Sequence, residues 1–344
     1  MTERQWRQML SVIDGSVHTP IPAGFISDSP WLPRWAGMSI LDYYSSEQLW
    51  LEANLRQVHR FPDVLFLPGF WAEFGMCTEP SAFGTRCTWS EDEFPFAHKL
   101  PGDLDDIVRM PRPDPRKDGF PPFVLKRLQH CRPAIEEAGH AIRFAVARGP
   151  WNIAAFLMGT TEFMMAVCDD SDKVHSLLAM ISDFLVDWLQ LQASTFPTID
   201  GIFILDDIIG FVGDNDLVEF GLPYLKKVFQ AIDARVRFFH NDAAGLVSAP
   251  HLPEIGVNLF NFSFEHSLSE MKQLTANRVT LLGNIPPRDV LASGTPDDVR
   301  RSVRACLGGL SDRSRIILSC GGGMPPGVST ENIEAFVEAA ACCG

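Results

Sequence analysis

The sequence lacks the features that would place the protein in or across a membrane. No uninterrupted run of about 18 apolar residues occurs in its 344 residues, so no segment is predicted to span a bilayer. The first residues, MTERQWRQML, are charged from position three and lack the apolar core of a signal peptide. The eight cysteines are scattered, and we expect reduced thiols that pack as small apolar side chains in a cytoplasmic protein.

Basic residues are also in the minority. The chain has 29 Lys and Arg residues against 43 Asp and Glu residues, which gives a net charge of −14. Because nucleic-acid binding needs clustered Lys and Arg, this balance argues against a nucleic-acid partner. The first predicted turn also lacks a glycine-rich phosphate loop, which disfavours a doubly wound nucleotide-binding sheet as the alternative fold.

The sequence does contain eight short apolar runs, each bounded by turn residues. The runs are nearly continuous rather than alternating, as expected of parallel strands that are buried on both faces. Segments with helical periodicity, such as SEQLWLEANLRQVHRF, lie between them. This alternation predicts an α/β fold, a (β/α)8 TIM barrel. The eight runs are 21–27, 63–69, 141–149, 201–207, 235–242, 256–263, 278–284 and 315–323.

The spacing of the runs is uneven, but it still predicts one domain over residues 1–344. The long interval between the second and third runs contains the Pro- and charge-rich stretch RMPRPDPRKDGFPP. We interpret residues 84–125 as an insertion or cap over the barrel mouth, because a domain linker would not fit within a single barrel. No tandem repeat is evident.

Polar side chains follow most of the predicted strands, at the end of a barrel where catalytic groups lie. Converging nitrogen, oxygen and sulfur ligands on a rigid scaffold are typical of a zinc site. We therefore predict a metal site formed by His240, Asp242, Glu265 and Cys320. The full set of strand-end residues is Asp28, Asp206, Asp207, His240, Asp242, Glu265, His266, Asn284 and Cys320.

Each of these residues also has a structural explanation. A single histidine at a strand end is more often hydrogen-bonded than metal-bound, and a cysteine before glycines is more often part of the core. Glu265 could cap the helix that begins near Leu268. Asp206 and Asp207 could donate a proton to a leaving group or orient the substrate, or they could cap a helix. The joint occurrence of all these residues at one rim of the predicted barrel favours the metal site.

Six longer blocks resemble the uroporphyrinogen decarboxylase superfamily across nearly the whole chain, and this resemblance also implies a (β/α)8 barrel. The last two blocks are the most specific, since a Gly-Asn-x-x-Pro turn and a glycine-rich loop ending in Thr-Glu-Asn rarely occur in this order. The blocks are RFPDVLFLPGFWAEFG (60–75), RGPWNIAAFLMG (148–159), IDGIFILDDI (199–208), HNDAAG (240–245), GNIPPRDVLASGTPDDV (283–299) and CGGGMPPGVSTENIEAFVEA (320–339).

The resemblance favours the zinc- and corrinoid-dependent methyltransferases of this superfamily over its true decarboxylases. Decarboxylases carry an Arg-rich motif near the N-terminus, whereas PAGFISDSPWLPRW contains only Arg34. Thiol-methylating members hold zinc with His-x-Cys after strand five, Glu after strand six and Cys after strand eight. The matching residues here are His240, Asp242, Glu265 and Cys320. Asp242 stands where those members have cysteine, which would make the metal harder and more Lewis-acidic.

These observations predict a demethylase that passes a methyl group from a methoxylated or N-methylated small molecule to a corrinoid. No Asp-x-His-x-x-Gly corrinoid motif occurs in the chain, so the cobalamin is expected on a separate partner protein. Trp31, Phe70, Trp71 and Asn284 are predicted to contact substrate. A methylcobalamin:thiol methyltransferase, a metal-free decarboxylase and a non-catalytic ligand-binding barrel are the alternatives, and a homodimer is left open.

Overall fold

The computed structural model describes residues 1–27, 30–243 and 246–342. Eight short strands alternate with helices, because apolar runs that suit a buried sheet are separated by amphipathic segments. Every pairing between these strands is parallel. The strands are β1 Gly24–Ile26, β2 Leu65–Leu67, β3 Phe144–Arg148, β4 Gly201–Leu205, β5 Val236–Asn241, β6 Leu259–Phe262, β7 Thr280–Ile285 and β8 Ile316–Cys320.

The strands follow one another around a barrel in chain order. Strands β3 to β8 form one six-stranded sheet, and β1 pairs with β2. The two parts join where Ala23 bridges Leu318 and the Leu318 N–H donates to the Pro22 carbonyl at 2.8 Å. This contact brings β1 beside β8, and the predicted (β/α)8 barrel is confirmed.

The seam between β2 and β3 is closed by side chains, since the described residues form no backbone ladder there. The side-chain amide of Gln192 accepts from the Val146 N–H at 3.0 Å and donates to the Val146 carbonyl at 2.9 Å. Glu79 accepts from the Arg148 N–H at 3.3 Å. These side chains satisfy the edge of β3, which would otherwise present unpaired backbone groups.

The helices surround the strands, and their apolar faces pack against the outward side chains of the barrel. The α-helices are α1 Glu3–Ile13, α2 Leu32–Ala36, α3 Ile40–Ser45, α4 Glu47–Arg60, α5 Thr78–Ala82, α6 Leu104–Val108, α7 Pro121–Glu137, α8 Pro150–Met158, α9 Thr160–Asp169, α10 Ser171–Thr195, α11 Asp214–Asp216, α12 Leu222–Phe229, α13 Leu268–Leu274, α14 Pro296–Gly308 and α15 Thr330–Cys342.

A second apolar cluster fills the barrel interior. Phe203 and Phe238, on neighbouring strands, stack with ring centroids 4.2 Å apart. Trp6 of α1 meets Phe144 edge-on at 5.5 Å and closes the end of the barrel from which the strands start. Thr2 and Gln5 form a capping box that fixes the start of α1. The lower barrel is therefore a packed core, and only the opposite end is available for chemistry.

Helix α10 is long and apolar enough to cross a membrane by length and composition, and the sequence analysis predicted no such segment. Half of its most apolar window is buried within the protein, where Leu177, Ile181 and Trp188 belong to the core. A further helix pair, α8 and α9, passes the same test only if it is counted as one span, and it is bent by 107°. A mostly buried core helix passes the same test of length and composition.

Residues 84–125 include a short antiparallel hairpin, in which Cys87–Thr88 pairs with Phe96–Ala97. Helix α6 and the start of α7 complete the segment. The Leu100 N–H donates to the Leu157 carbonyl at 2.9 Å, which attaches the segment to the last turn of α8. The segment predicted as a cap thus lies beside α8, the helix that follows β3.

Candidate metal and active site

Strand β5 places a histidine at the open end of the barrel, because side chains along a strand alternate between its two faces. Val236 and Phe238 point into the interior cluster, and side chains at i and i+2 share a face. His240 therefore also points inward, one layer above Phe238, and it is buried. Asp242, just beyond the strand, is exposed at the rim. The apolar part of this run forms a strand of the barrel wall, and the polar residues at its end lie at the mouth of the barrel.

A neighbouring amide fixes the orientation of the His240 ring. Asn261 on β6 donates from Nδ2 to the carbonyls of Leu282 at 2.7 Å and Cys320 at 3.2 Å. Its Oδ1 is therefore the acceptor, and it lies 2.8 Å from His240 Nδ1. The proton of the neutral ring is assigned to Nδ1 by this arrangement, which leaves the Nε2 lone pair available to a ligand.

Asp207 completes the group from the end of β4. Its Oδ1 lies 3.5 Å from His240 Nε2 and accepts from the Asp242 N–H at 3.3 Å. Asn152 donates to Asp207 Oδ2 at 3.4 Å, while its own Oδ1 accepts from the N–H groups of Asp207 and Ile208, both at 3.0 Å. Burial raises the pKa of Asp207, and the adjacent His240 opposes that shift.

Asp207, His240 and Asp242 together satisfy the basic requirement of a metal site. One ligand atom from each lies within 4.8 Å of the others. The set comprises one imidazole nitrogen and two carboxylates, with no thiolate. Two amides, Asn152 and Asn261, orient two of the three ligands. Zinc and other divalent ions accept such nitrogen and oxygen donors, so the residues fit the metal that the sequence resemblance implies.

Asp206 has a different role from its neighbour. It is fully buried, and its carboxylate accepts from the N–H groups of Trp151 at 3.1 Å and Asn152 at 2.7 Å, at the start of α8. Gly149, the N-cap residue, has no side chain of its own, and a Cβ there would lie 2.2 Å from Asp206 Oδ2. Burial raises the pKa of Asp206 to about 8, against these two donors. Asp206 is a helix cap, which corrects its catalytic assignment.

The structure does not bring Cys320 or Glu265 to the three-residue cluster, which corrects the four-ligand expectation. Ile317 points into the barrel, so Cys320, three positions later, shares the outward face with Ile316 and Leu318. Its thiol lies 3.4 Å from the Gly322 carbonyl. Glu265 is exposed on the turn after β6.

The predicted substrate residues lie elsewhere. Trp31 is buried, donates to the Val328 carbonyl at 2.9 Å and stacks on Trp35. Phe70 and Trp71 are buried, against Trp50 and Phe203 respectively. These three aromatic residues are part of the core. Asp28, which follows β1, lies outside the described residues.

Asn284 also faces away from the cluster. Its side-chain amide donates to the His266 carbonyl. Together with Glu265, His266 and Cys306 it lines a separate cavity of about 420 Å³ between α13 and α14. Asn284 is therefore assigned to this outer cavity rather than to the mouth of the barrel.

Two cavities border the cluster, one at Asp207 and one at Asp242. The first, of about 420 Å³, touches Asp207 and is largely apolar. The second, of about 340 Å³, touches Asp242 and contains the exposed cation Arg288. The first is lined by Met76, Phe96, Ala97, His98, Lys99, Asn152, Ala155, Phe156, Gly159, Thr160, Asp207 and Ile208. The hairpin of residues 87–97 thus supplies part of the wall beside Asp207.

The sequence analysis missed a buried ionic cluster at the seam. Arg148 ends β3, and its guanidinium contacts Glu73 at 2.8 Å and Glu79 at 3.4 Å. All three residues are buried. Burial raises the pKa of Glu73 to about 7, against the attraction of Arg148. The strand AIRFAVARG offered the signal, since Phe144 and Val146 alternate with small residues and place Arg148 on their face.

A barrel with ionisable side chains gathered beyond the carboxyl ends of its strands has the architecture of a (β/α)8-barrel enzyme. Comparison with known families makes this class specific. The family model of uroporphyrinogen decarboxylase (URO-D) matches residues 31–342, and the chain belongs to this family, as the sequence blocks predicted.

The curated relatives and the solved structures that this chain resembles have different names. The uroporphyrinogen decarboxylase of Pseudoalteromonas translucida is 22% identical over 90% of this chain and 91% of its own. That of Chloroherpeton thalassium is 25% identical over 75% of this chain and 74% of its own. A methyltransferase from Methanosarcina mazei superposes with a TM-score of 0.79 at 18% identity, covering 97% of both chains. A B12-independent methionine synthase from Shewanella gives 0.55 at 11% identity, over 95% of this chain and 97% of its own.

Proposed function

We propose that the protein is a metal-dependent methyltransferase, which demethylates a methoxylated or N-methylated small molecule and passes the methyl group to a corrinoid protein. The observation that carries the proposal is the cluster of Asp207, His240 and Asp242 at the barrel mouth. The likeness to the Methanosarcina methyltransferase is compatible with it at the level of the fold.

Zinc is the metal we propose for this cluster, about one ion per chain. When bound, it would act as a Lewis acid that polarises the oxygen or nitrogen carrying the methyl group. A donor set without thiolate suits this task, because carboxylates leave a harder ion than cysteines do. The same absence of thiolate argues against the thiol methyltransferase alternative.

The chain's own residues would bind and orient the donor. The cavity beside Asp207 is largely apolar, and Phe96 and Phe156 form an edge-on pair in its wall at 6.0 Å. A small apolar molecule bound there would have its polar atom directed to Asp207, the one carboxylate that lines the cavity. Asn152 would hold that carboxylate in place through its contact with Oδ2.

The acceptor is proposed to approach through the second cavity, at Asp242. The second cavity opens at Asp242 and includes the exposed ring of Phe264. A corrinoid on a partner protein would be held there in one orientation, and orientation gives bound reactants a large advantage over free ones. The methyl–heteroatom bond would break as the bond from methyl to the reduced corrinoid forms.

Decarboxylation is the competing function, because the curated relatives carry that name. A polyacidic substrate would need unpaired cations at the mouth. Arg148 is already held by Glu73 and Glu79, and Lys99 is paired with Glu162. Arg288 in the cavity at Asp242 remains a cation that such a substrate would meet, so the metal cluster, rather than the charges at the mouth, favours the methyltransferase proposal.

Metal content is the first test. Elemental analysis should find about one zinc per chain after mild purification. His240→Ala and Asp242→Ala should each lose most of it, whereas Cys320→Ala should keep it as the matched control. Full metal content in both ligand variants would disprove the cluster as the site.

Activity is the second test. Reduced cobalamin should be methylated slowly from a panel of methoxyaromatics and methylamines, and faster when it is carried by a corrinoid protein. Asp242→Cys should keep the metal and lose demethylation rate, because a thiolate softens the ion. Release of carbon dioxide from porphyrin-like acids without methyl transfer would instead establish the decarboxylase.

A further inference from the structure

A small cavity lies at the seam between β2 and β3. Its walls come from the segment that follows β2, from β3 and from helices α7 and α10. Every residue that lines it except Val146 is buried. Its volume of about 30 Å³ is enough for at least one water molecule.

Two buried polar atoms belong to residues of this cavity and have no hydrogen-bond partner in the part of the chain that the structure describes. They are the indole Nε1 of Trp188, which is a donor, and the carboxyl Oε1 of Glu73, which accepts when the group is ionised. Both residues line the cavity, and both are less than one-tenth exposed. Because unpaired polar atoms are costly in a protein interior, both atoms require a ligand.

The polar groups around these two atoms are already paired. Gln192 lies one turn after Trp188 on the same face of α10, and its amide binds both backbone groups of Val146 on β3. The Trp188 ring therefore also faces the seam. Glu73 accepts from Arg148 through Oε2 at 2.8 Å, which leaves Oε1 for a different donor.

We propose that this cavity is a binding site for ordered water, which accepts from the Trp188 indole N–H and donates to Glu73. The ligand must accept from one group and donate to the other, and water does both. A monovalent cation would suit the cluster of two carboxylates and one guanidinium, but it cannot accept a hydrogen bond from Trp188.

Bound water would complete the closure of the seam by side chains. Burial raises the pKa of Glu73 to about 7. Water can donate to the ionised carboxylate or accept from the protonated carboxyl group, so Glu73 would be hydrogen-bonded in both forms. This inference concerns the barrel wall and does not depend on the proposed methyl transfer.

A high-resolution crystal structure of the full-length protein tests the proposal. It should show ordered water about 2.7–3.2 Å from Trp188 Nε1 and within the same range of Glu73 Oε1. Crystals soaked in rubidium chloride should give no anomalous signal at this position. Anomalous density there would assign the site to a monovalent cation, and a cavity without density would be dry. Either result would overturn the proposal.

Nuclear magnetic resonance tests the site in solution and has an internal control. The Trp188 indole N–H should show a cross-relaxation peak to water, and Trp188→Phe should remove that peak, which assigns it. The indole of Trp151 is equally buried but donates to the Phe220 carbonyl at 2.9 Å, so it should show no such peak. Absence of the peak at Trp188, or an equal peak at Trp151, would contradict a bound water at the seam.

Discussion

Two groups of ionisable residues lie at the same end of the barrel, and they differ in whether they contain their own counter-charge. At the seam, Arg148 is enclosed with Glu73 and Glu79, and every side chain is less than one-tenth exposed. At the mouth, the carboxylates of Asp207 and Asp242 lie beside the single imidazole of His240, and the Asp207 side chain is 34% exposed. The seam cluster balances itself, whereas the mouth cluster leaves negative charge that faces solvent and two cavities.

The difference in charge balance distinguishes a structural cluster from a functional one more clearly than the residue types in each cluster do. Buried charges are stable only when they are paired, so the seam cluster is expected to hold the β2–β3 edge. The ligands of the mouth cluster are oriented by neighbouring amides, and their two carboxylates fit a cation. Substitutions in the two clusters should therefore affect different measurements.

The largest expected effect is on stability at the seam. Arg148→Leu removes the cation and leaves Glu73 and Glu79 buried without a partner, which should lower the free energy of unfolding by about 3–5 kcal/mol. Urea denaturation monitored by tryptophan fluorescence measures it. The exposed Arg301 on α14 is the control, and Arg301→Leu should cost less than about 1 kcal/mol. Equal effects at both positions would show that the seam does not depend on its charge balance.

Substitution of Asp206 should lower stability, as substitutions in the seam cluster do, although Asp206 adjoins the mouth cluster. Asp206→Ala leaves the N–H groups of Trp151 and Asn152 buried without an acceptor, and this should cost about 2 kcal/mol of stability. Asp103 caps the exposed helix α6, so Asp103→Ala should cost less. Metal content should be unchanged in both variants. If Asp206→Ala lost its metal while keeping full stability, Asp206 would belong to the functional site.

The fold followed from the sequence, while the site followed only in part. Each predicted strand is present, because continuous apolar runs have few alternatives to a buried parallel sheet. From their positions after strands, His240 and Asp242 were predicted as ligands and Asp207 as a catalytic residue, and the structure brings the three together. Cys320 was predicted at the mouth because it ends the eighth strand and matches a family ligand, but alternation from the inward Ile317 places it on the outward face. The role of Asp206 depends on Gly149, a contact between segments that are distant in sequence.

A smaller effect should separate orientation from ligation. Asn261→Leu removes the acceptor of His240 Nδ1, and loss of such an orienting partner typically weakens metal binding by about 10- to 100-fold. Titration of the metal-free protein with zinc measures the affinity. Asn258 also bridges neighbouring strands, through Arg237 and Arg235, at the other end of the barrel. Asn258→Leu should therefore lower stability without changing zinc affinity, and an equal loss of affinity in both variants would exclude a specific role for Asn261.

The last expected effect is a pH dependence of stability to which the seam contributes through Glu73. The pKa of Glu73 is raised to about 7, so between about pH 4.5 and 7 the folded state binds a proton that the unfolded state has released. Stability should therefore fall as pH rises through this window, by up to about 1.4 kcal/mol per pH unit. Glu73→Gln leaves Arg148 paired with Glu79 and should remove this slope. The quantity to compare is the difference between wild-type and variant stability at pH 5 and pH 8, because Glu79, Asp206 and His140 titrate in both proteins. An equal difference at pH 5 and pH 8 would mean that Glu73 is ionised at both values. The charge at the seam would then be balanced by a group other than the Glu73 proton.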